Sequence, residues 1–192
     1  MGIRASTEAK LLDAADELFF SHGIAATPID AVLARAGISA ATMYRGYASK
    51  EELVAAALQR RQRAWLEVWD QAIDRAETPR DKLLAVFDAL DEFRSRPDRS
   101  RWCAFLGSAA EYADPPAEIR KAVSSNTDTL RDRLRQLAEP VVGDRAPGLA
   151  EELLLIVSGD LVMRLRNPHH QTAIARSIAH VLIPGGDEFD PS

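Results

Sequence analysis

Residues 27 to 53, TPIDAVLARAGISAATMYRGYASKEEL, constrain this chain more than any other stretch, because they spell two short helices, a tight stop between them and the start of a third. Ile29, Val32, Leu33 and Ala36 recur at threes and fours, which lines one face of a helix with apolar side chains. Thr27 is placed to cap that helix, with Pro28 as its first residue and Asp30 in its first turn. Gly37 ends it, Ile38 plugs the turn, and Ser39 is placed to cap a second short helix. In that helix Met43 and Tyr47 share the inward face, while Ala40, Ala41, Tyr44 and Arg45 point outward. Ser49, with Glu52 at capping-box distance, opens the third helix. Two helices joined by a glycine turn, the second beginning on small residues, form a helix-turn-helix, which seats its second helix in a major groove.

The run Ala36, Gly37, Ile38, Ser39, then Thr42, Met43, Tyr44, then Tyr47, then Lys50, Glu51 and Leu53 resembles the DNA-binding signature of TetR-family transcriptional regulators. The resemblance is specific over residues 7 to 58; beyond them family members share an all-helical shape but little sequence. Taken residue by residue, it implies that Thr42, Tyr44 and Lys50 meet operator phosphates or bases. With Thr27, Ser39, Ala40, Ala41, Arg45 and Tyr47 they make up the predicted DNA-contact set. Gly46 departs from the family pattern, where an aromatic residue or histidine is usual. That departure weakens a base contact which Arg45 is placed to take over in part. Tyr47 stands where phenylalanine is commoner, a conservative change.

The remaining pattern is helical throughout. Ser6 is placed to cap a first helix to about Ser21, whose stripe is Leu11, Leu12, Ala15, Leu18 and Phe19 and whose stop is Gly23. From Lys50 to about Arg75 one helix continues for roughly 40 Å, so a shift at its far end can tilt the reading helices. Thr78, Pro79 and Asp81 repeat the spacing of Thr27, Pro28 and Asp30 and open a helix to about Arg96. Further helices are predicted over about 101–112, 116–137, 147–166 and 168–182. The fold class is therefore all-α, with about nine helices. A three-helix DNA-binding domain over 1–50 precedes a helical ligand-binding and dimerisation domain over 51–192.

Composition fits this fold: 192 residues with 46% hydrophobic content are enough to bury a substantial core. The net charge of minus 5 is unusual for a protein that approaches phosphates. Its distribution matters more, since residues 1–63 carry 8 basic and 7 acidic side chains against 16 and 22 in the remainder. Arg4, Lys10, Arg45 and Lys50 supply the local positive face, so binding is expected to be salt-sensitive and sequence-selective. No apolar run reaches the length of a membrane span and no secretory signal is spelled, which predicts a cytoplasmic protein with no membrane partner. Met1, Gly2 and Ser6 fit a myristoylation pattern, but nothing else points to a membrane, and chance explains so short a match.

Two further sites are predicted in the second domain. Leu154, Val157, Leu161 and Leu165, with Ile174, Ile178 and Val181, form more apolar surface than one buried stripe requires. They are expected to build a symmetric four-helix dimer interface, as the family resemblance also implies; the other reading is a helix central to its own subunit. A dimer would place two reading helices on half-sites about 34 Å apart. Trp65, Trp69, Phe87, Trp102, Cys103, Phe105, Tyr112 and Met163 are candidates to line a pocket for a small apolar or amphipathic effector, although aromatics at helical spacing are as readily packed core.

Other chemistry finds little support. The lone Cys103 beside Arg101 reads as a small buried hydrophobe or, alternatively, as an oxidisable thiol. His169 and His170 read as residues at a helix start, and no metal set or cofactor motif is spelled. No phosphate-cradle, zinc-protease or serine-elbow motif appears, and Glu111, Asp114 and Asp160 read as solvated faces or caps, so the chain is not expected to be an enzyme. The expected partners are double-stranded operator DNA, a second copy of the chain and a small-molecule effector. Control by a protein partner or by thiol oxidation is the alternative to the effector.

Overall fold

The computed structural model describes residues 3–95, 103–167 and 169–184. They form α1 (Ala5–His22), α2 (Ile29–Ala36), α3 (Ala40–Met43), α4 (Lys50–Asp74), α5 (Pro79–Ser95), α6 (Ala104–Glu111), α7 (Ala117–Val142), a 3-10 turn (Gly143–Arg145), α8 (Ala146–Arg166) and α9 (Ala173–Leu182). No strand occurs among the described residues, and the protein is all-α as its periodicity predicts. No helix among them is long and apolar enough to cross a membrane. Met1, Gly2, Arg101, Trp102 and Pro168 lie outside the described residues.

Packing divides the chain into two compact units, and the division falls inside α4 and α7. The first unit takes the described residues up to 64 and those of 103–126; the second takes 65–95 and those from 127 onward. This grouping differs from a boundary at residue 50, since α6 shares its core with α1. In the first unit Leu11, Ala15 and Phe19 of α1 meet Val32 of α2, Met43 of α3, Leu53 and Leu58 of α4, Phe105 of α6 and Ile119 of α7. Arg61 is buried with them because its charge is paired: it lies 2.9 Å from Asp16, with its guanidinium 5.5 Å from the Phe20 ring.

The second unit packs Trp69, Leu83, Phe87, Leu134, Leu153, Val157 and Ala179 into one cluster. Beside it sits a polar knot around Asp160. That carboxylate is buried, lies 2.8 Å from Arg164 and 2.9 Å from the ring of His170, and so is not the solvated face its sequence suggests. Burial pulls the Arg164 guanidinium below its ordinary pKa, and Asp160 and Asp91 oppose that pull. Thr172 joins through hydrogen bonds with Arg164 and Asp91, and Arg94 donates to the His170 carbonyl at 2.9 Å. This knot occupies the connection after α8, so α9 begins at Ala173 rather than at 168.

Helix starts differ from expectation in informative ways. Arg4 rather than Ser6 caps α1, accepting through its carbonyl from Thr7 and Glu8 at 2.9 Å. Pro28 rather than Thr27 stands at the cap of α2, with no side-chain cap bond. Thr78, in contrast, does cap α5, accepting from the Asp81 amide at 3.1 Å while its hydroxyl donates to the Asp81 carboxylate at 2.6 Å. Helix α7 runs past the predicted end at Leu137 through Pro140 to Val142, although Pro140 removes one amide-to-carbonyl bond from its last turns.

Candidate nucleic-acid interface

The geometry of α2 and α3 follows from Gly37, whose backbone is left-handed at φ 66° and which therefore needs no Cβ strain to turn the chain. Its amide donates to the Ala34 carbonyl at 3.2 Å and the amide of Ile38 donates to Leu33 at 3.0 Å, which closes α2 and brings Ile38 against the core. Ser39 then caps α3, accepting from the Thr42 amide at 3.3 Å. Met43 is fully buried and Tyr47 nearly so. The Tyr47 hydroxyl donates to Glu8 at 2.7 Å, and burial first and that carboxylate second push its pKa up. Tyr47, one of the predicted contacts, is thus largely buried and ties the segment after α3 to α1.

What α3 and the turn after it show to solvent is Ala40, Ala41, Tyr44 and Arg45. Tyr44 is 54% exposed and is the large apolar side chain that this face offers. Arg45 is held across the face by a 3.0 Å bond to the Thr42 hydroxyl, which lies 3.0 Å from Ser39 Oγ. Small residues flanked by one aromatic and one guanidinium let a duplex approach closely and meet groups that bond bases or phosphates. Gly46 has its own cause: a Cβ there would lie 2.4 Å from Ile3 Cδ1, so the space of the family's usual aromatic residue is filled from the N-terminal segment.

Two predicted contacts are turned inward. The Thr27 hydroxyl is buried and donates to the Gly23 carbonyl at 2.7 Å, finishing α1 instead of opening α2 or facing DNA. The Lys50 ammonium donates to the Ile24 carbonyl at 2.5 Å and lies 5.6 Å from the Phe19 ring, which keeps it half-buried. The Ser49 box forms as expected: its hydroxyl accepts from Glu52 at 3.1 Å, and the Glu52 carboxylate accepts from the Ala48 amide at 2.7 Å.

The predicted pocket residues fall into the two separate cores. Trp69 and Phe87 are fully buried in the second unit, with Trp65 against them; Phe105 belongs to the first unit's core, with Cys103 and Tyr112 packed on it. Met163 is exposed on α8. Burial pushes the Cys103 thiol up, and the opposing pull of the Leu106 and Phe105 amides and of Arg61 is smaller. Among the described residues no cluster of three metal-ligating side chains occurs.

The predicted interface residues divide as well. Val157 is buried in its own subunit, a correction, and Leu154 and Leu161 pack against the same core. Leu165, Ile174, Ile178 and Val181 are exposed, and Leu155, Val162, Met163 and Leu182 join them. The missed residues follow from one rotation: Asp160 faces inward, so the stripe containing Leu155, Gly159 and Val162 turns to solvent.

A Gly-turned, Ser-capped pair of helices with a small-residue face, set in an all-helical chain, is a helix-turn-helix. Residues 11–57 match the model of the bacterial regulatory proteins of the tetR family. The HTH-type transcriptional activator FasR of Mycolicibacterium smegmatis is 28% identical over 129 residues, which are 67% of this chain but only 59% of that protein. A TetR-family transcriptional regulator from Streptomyces coelicolor superposes with a TM-score of 0.83 at 23% identity, covering 93% of this chain and 88% of the other. E. coli NemR in its reduced form superposes at 0.80 and 18% identity, covering 93% and 98%. The family match covers the helix-turn-helix region, and the likeness to the solved regulators extends the shared fold over nearly the whole chain.

Proposed function

We propose that this chain is a dimeric, ligand-responsive regulator that grips a palindromic operator in the cytoplasm and leaves it when a small apolar or amphipathic effector binds. Residues 1–50 carry its reading helices, within the first compact unit, and regulation and dimerisation fall to residues in 51–192. The observation that carries the reading is the solvent face of Ala40, Ala41, Tyr44 and Arg45 on a helix whose inner face is fixed by Met43 and Tyr47. The apolar surface of α8 and α9 supplies the second copy, because one four-residue reading helix gives too few base contacts and two half-sites double them. The effector acts by favouring a conformation in which the two readers no longer match successive grooves; a coupling of about 1 to 3 kcal/mol makes a useful switch. FasR is named an activator, and the same reading head serves either direction; release on effector binding makes the proposed direction repression. Thiol oxidation is the weaker mode of control, since burial of Cys103 disfavours the reactive thiolate.

Fluorescence anisotropy on DNA flanking the chain's own gene, against scrambled DNA over a salt series, tests the reading. Selective, salt-dependent binding that Tyr44→Ala weakens is expected. Equal affinity for both DNAs at every salt concentration would sink it.

A further inference from the structure

The first unit contains a cavity that neither DNA reading nor self-association uses. Its volume is about 260 Å³, and it lies between the end of α1 and α6. Phe19, Phe20, Ile24 and Ala104 make its apolar wall, and Ser108 and Glu111 are its polar groups. The Ser108 hydroxyl is buried and has no hydrogen-bond partner among the described residues. A buried hydroxyl left unpaired is costly, so it favours any guest that brings a matching group. Glu111 is committed differently: its carboxylate accepts from the amides of Ile24 at 2.9 Å and Ala25 at 2.5 Å, closing the turn after α1.

Charge narrows the class of guest. An anion would meet the Glu111 carboxylate. A cation would lose its water against an apolar wall whose one carboxylate is already held by the Ile24 and Ala25 amides. Only a neutral molecule escapes both. Size narrows it further, because an apolar cavity of about 150 Å³ takes up benzene, and the larger space here suits a ring with a short substituent, roughly nine heavy atoms.

We propose that this cavity is a binding site for small neutral phenols or similar hydroxyl-bearing aromatics, the ring lying on Phe19, Phe20 and Ile24 and the hydroxyl pairing with Ser108. The site stands apart from the effector reading above and does not depend on DNA binding, so its test uses no DNA.

The probe is 4-ethylphenol, titrated into the full chain by calorimetry, with methyl NMR of Ile24 and Ala104 as the local report. Saturable one-to-one binding that shifts both methyl resonances is expected. Ser108→Ala, which keeps the shape and removes the hydroxyl, weakens it about tenfold. Ala104→Leu fills the cavity and abolishes it, and melting curves of the free variants confirm that they are folded. No heat and no methyl shift in the unmodified chain overturns the proposal. So does binding that leaves the two methyl groups unmoved, or an affinity unchanged by Ser108→Ala.

Discussion

The two units put opposite kinds of surface into solvent. On the reading head the exposed face is built of alanines, with Tyr44 as its single large apolar side chain and Arg45 tethered alongside. On α8 and α9, Leu155, Val162, Met163, Leu165, Ile174, Ile178, Val181 and Leu182 are all exposed, Val181 at 84%. Water tolerates the first face at little cost and penalises the second, so a lone subunit has reason to cover α8 and α9 and none to cover α3. On the proposed reading, the first face suits a hydrated, charged duplex and the second dry contact with another copy of the chain. The polar groups differ in parallel: Ser39, Thr42 and Arg45 lie along the reading surface, whereas Asp160 and Arg164 are sealed beneath the apolar one.

That burial sets the largest effect. Asp160→Ala would leave Arg164 buried without its nearest carboxylate, which costs about 3 to 5 kcal/mol. Urea unfolding of the variant measures it, and a loss below about 1 kcal/mol would mean that water reaches the knot and that α8 is not rotated as described. Next, charging the apolar face by Ile178→Glu with Val181→Glu should shift the subunit equilibrium at least a hundredfold toward monomer, because two carboxylates cannot be buried unpaired. Light scattering at micromolar concentration reads the mass. A persistent dimer would place the self-contact elsewhere, and the contrast between the faces would lose its meaning.

The reading face should respond in affinity and not in stability. Tyr44→Ala is expected to weaken operator binding about tenfold while the melting temperature stays put, as one lost groove contact is worth roughly 1 to 3 kcal/mol. Thr27→Val should do the reverse, costing about 1 kcal/mol of stability through the lost bond to Gly23 with little change in affinity per folded molecule. If both variants lost affinity equally, Thr27 would belong to the interface after all.

The fold was legible in the sequence wherever one choice of face dominates. The stripe through Leu11, Ala15 and Phe19, the Gly37 stop and the Ser49 box each admit one arrangement, and each is found. Legibility failed where a side chain had two competing partners. Thr27 and Thr78 precede the same Pro-x-Asp spelling, yet Thr78 caps its helix and Thr27 turns back to the carbonyls ending α1, a choice made by the preceding helix. Asp160 and Glu111 have the composition of solvated residues, and only the long-range approach of His170, or of the Ile24 and Ala25 amides, draws them in. On α8 the apolar residues run round most of the helix, so the pattern alone did not say that Val157 faces the core with Asp160 while Leu155 and Val162 face solvent.

Gly46 gives the smallest effect and the finest test of the reading face. Its added Cβ would meet Ile3 Cδ1 at 2.4 Å and Cγ1 at 2.7 Å, but these are the outer atoms of a half-exposed side chain that has room to swing away. Gly46→Ala should therefore cost under about 1 kcal/mol, and only through the lost packing of Ile3 on the core. Ile3→Ala should cost a similar amount, and the double variant no more than either alone, because both remove one contact. Melting temperatures of the four proteins form the cycle. Additive losses would mean that Ile3 does not occupy the space over Gly46, and the family's usual larger side chain would then be missing from this face for a reason other than competition with the N-terminal segment.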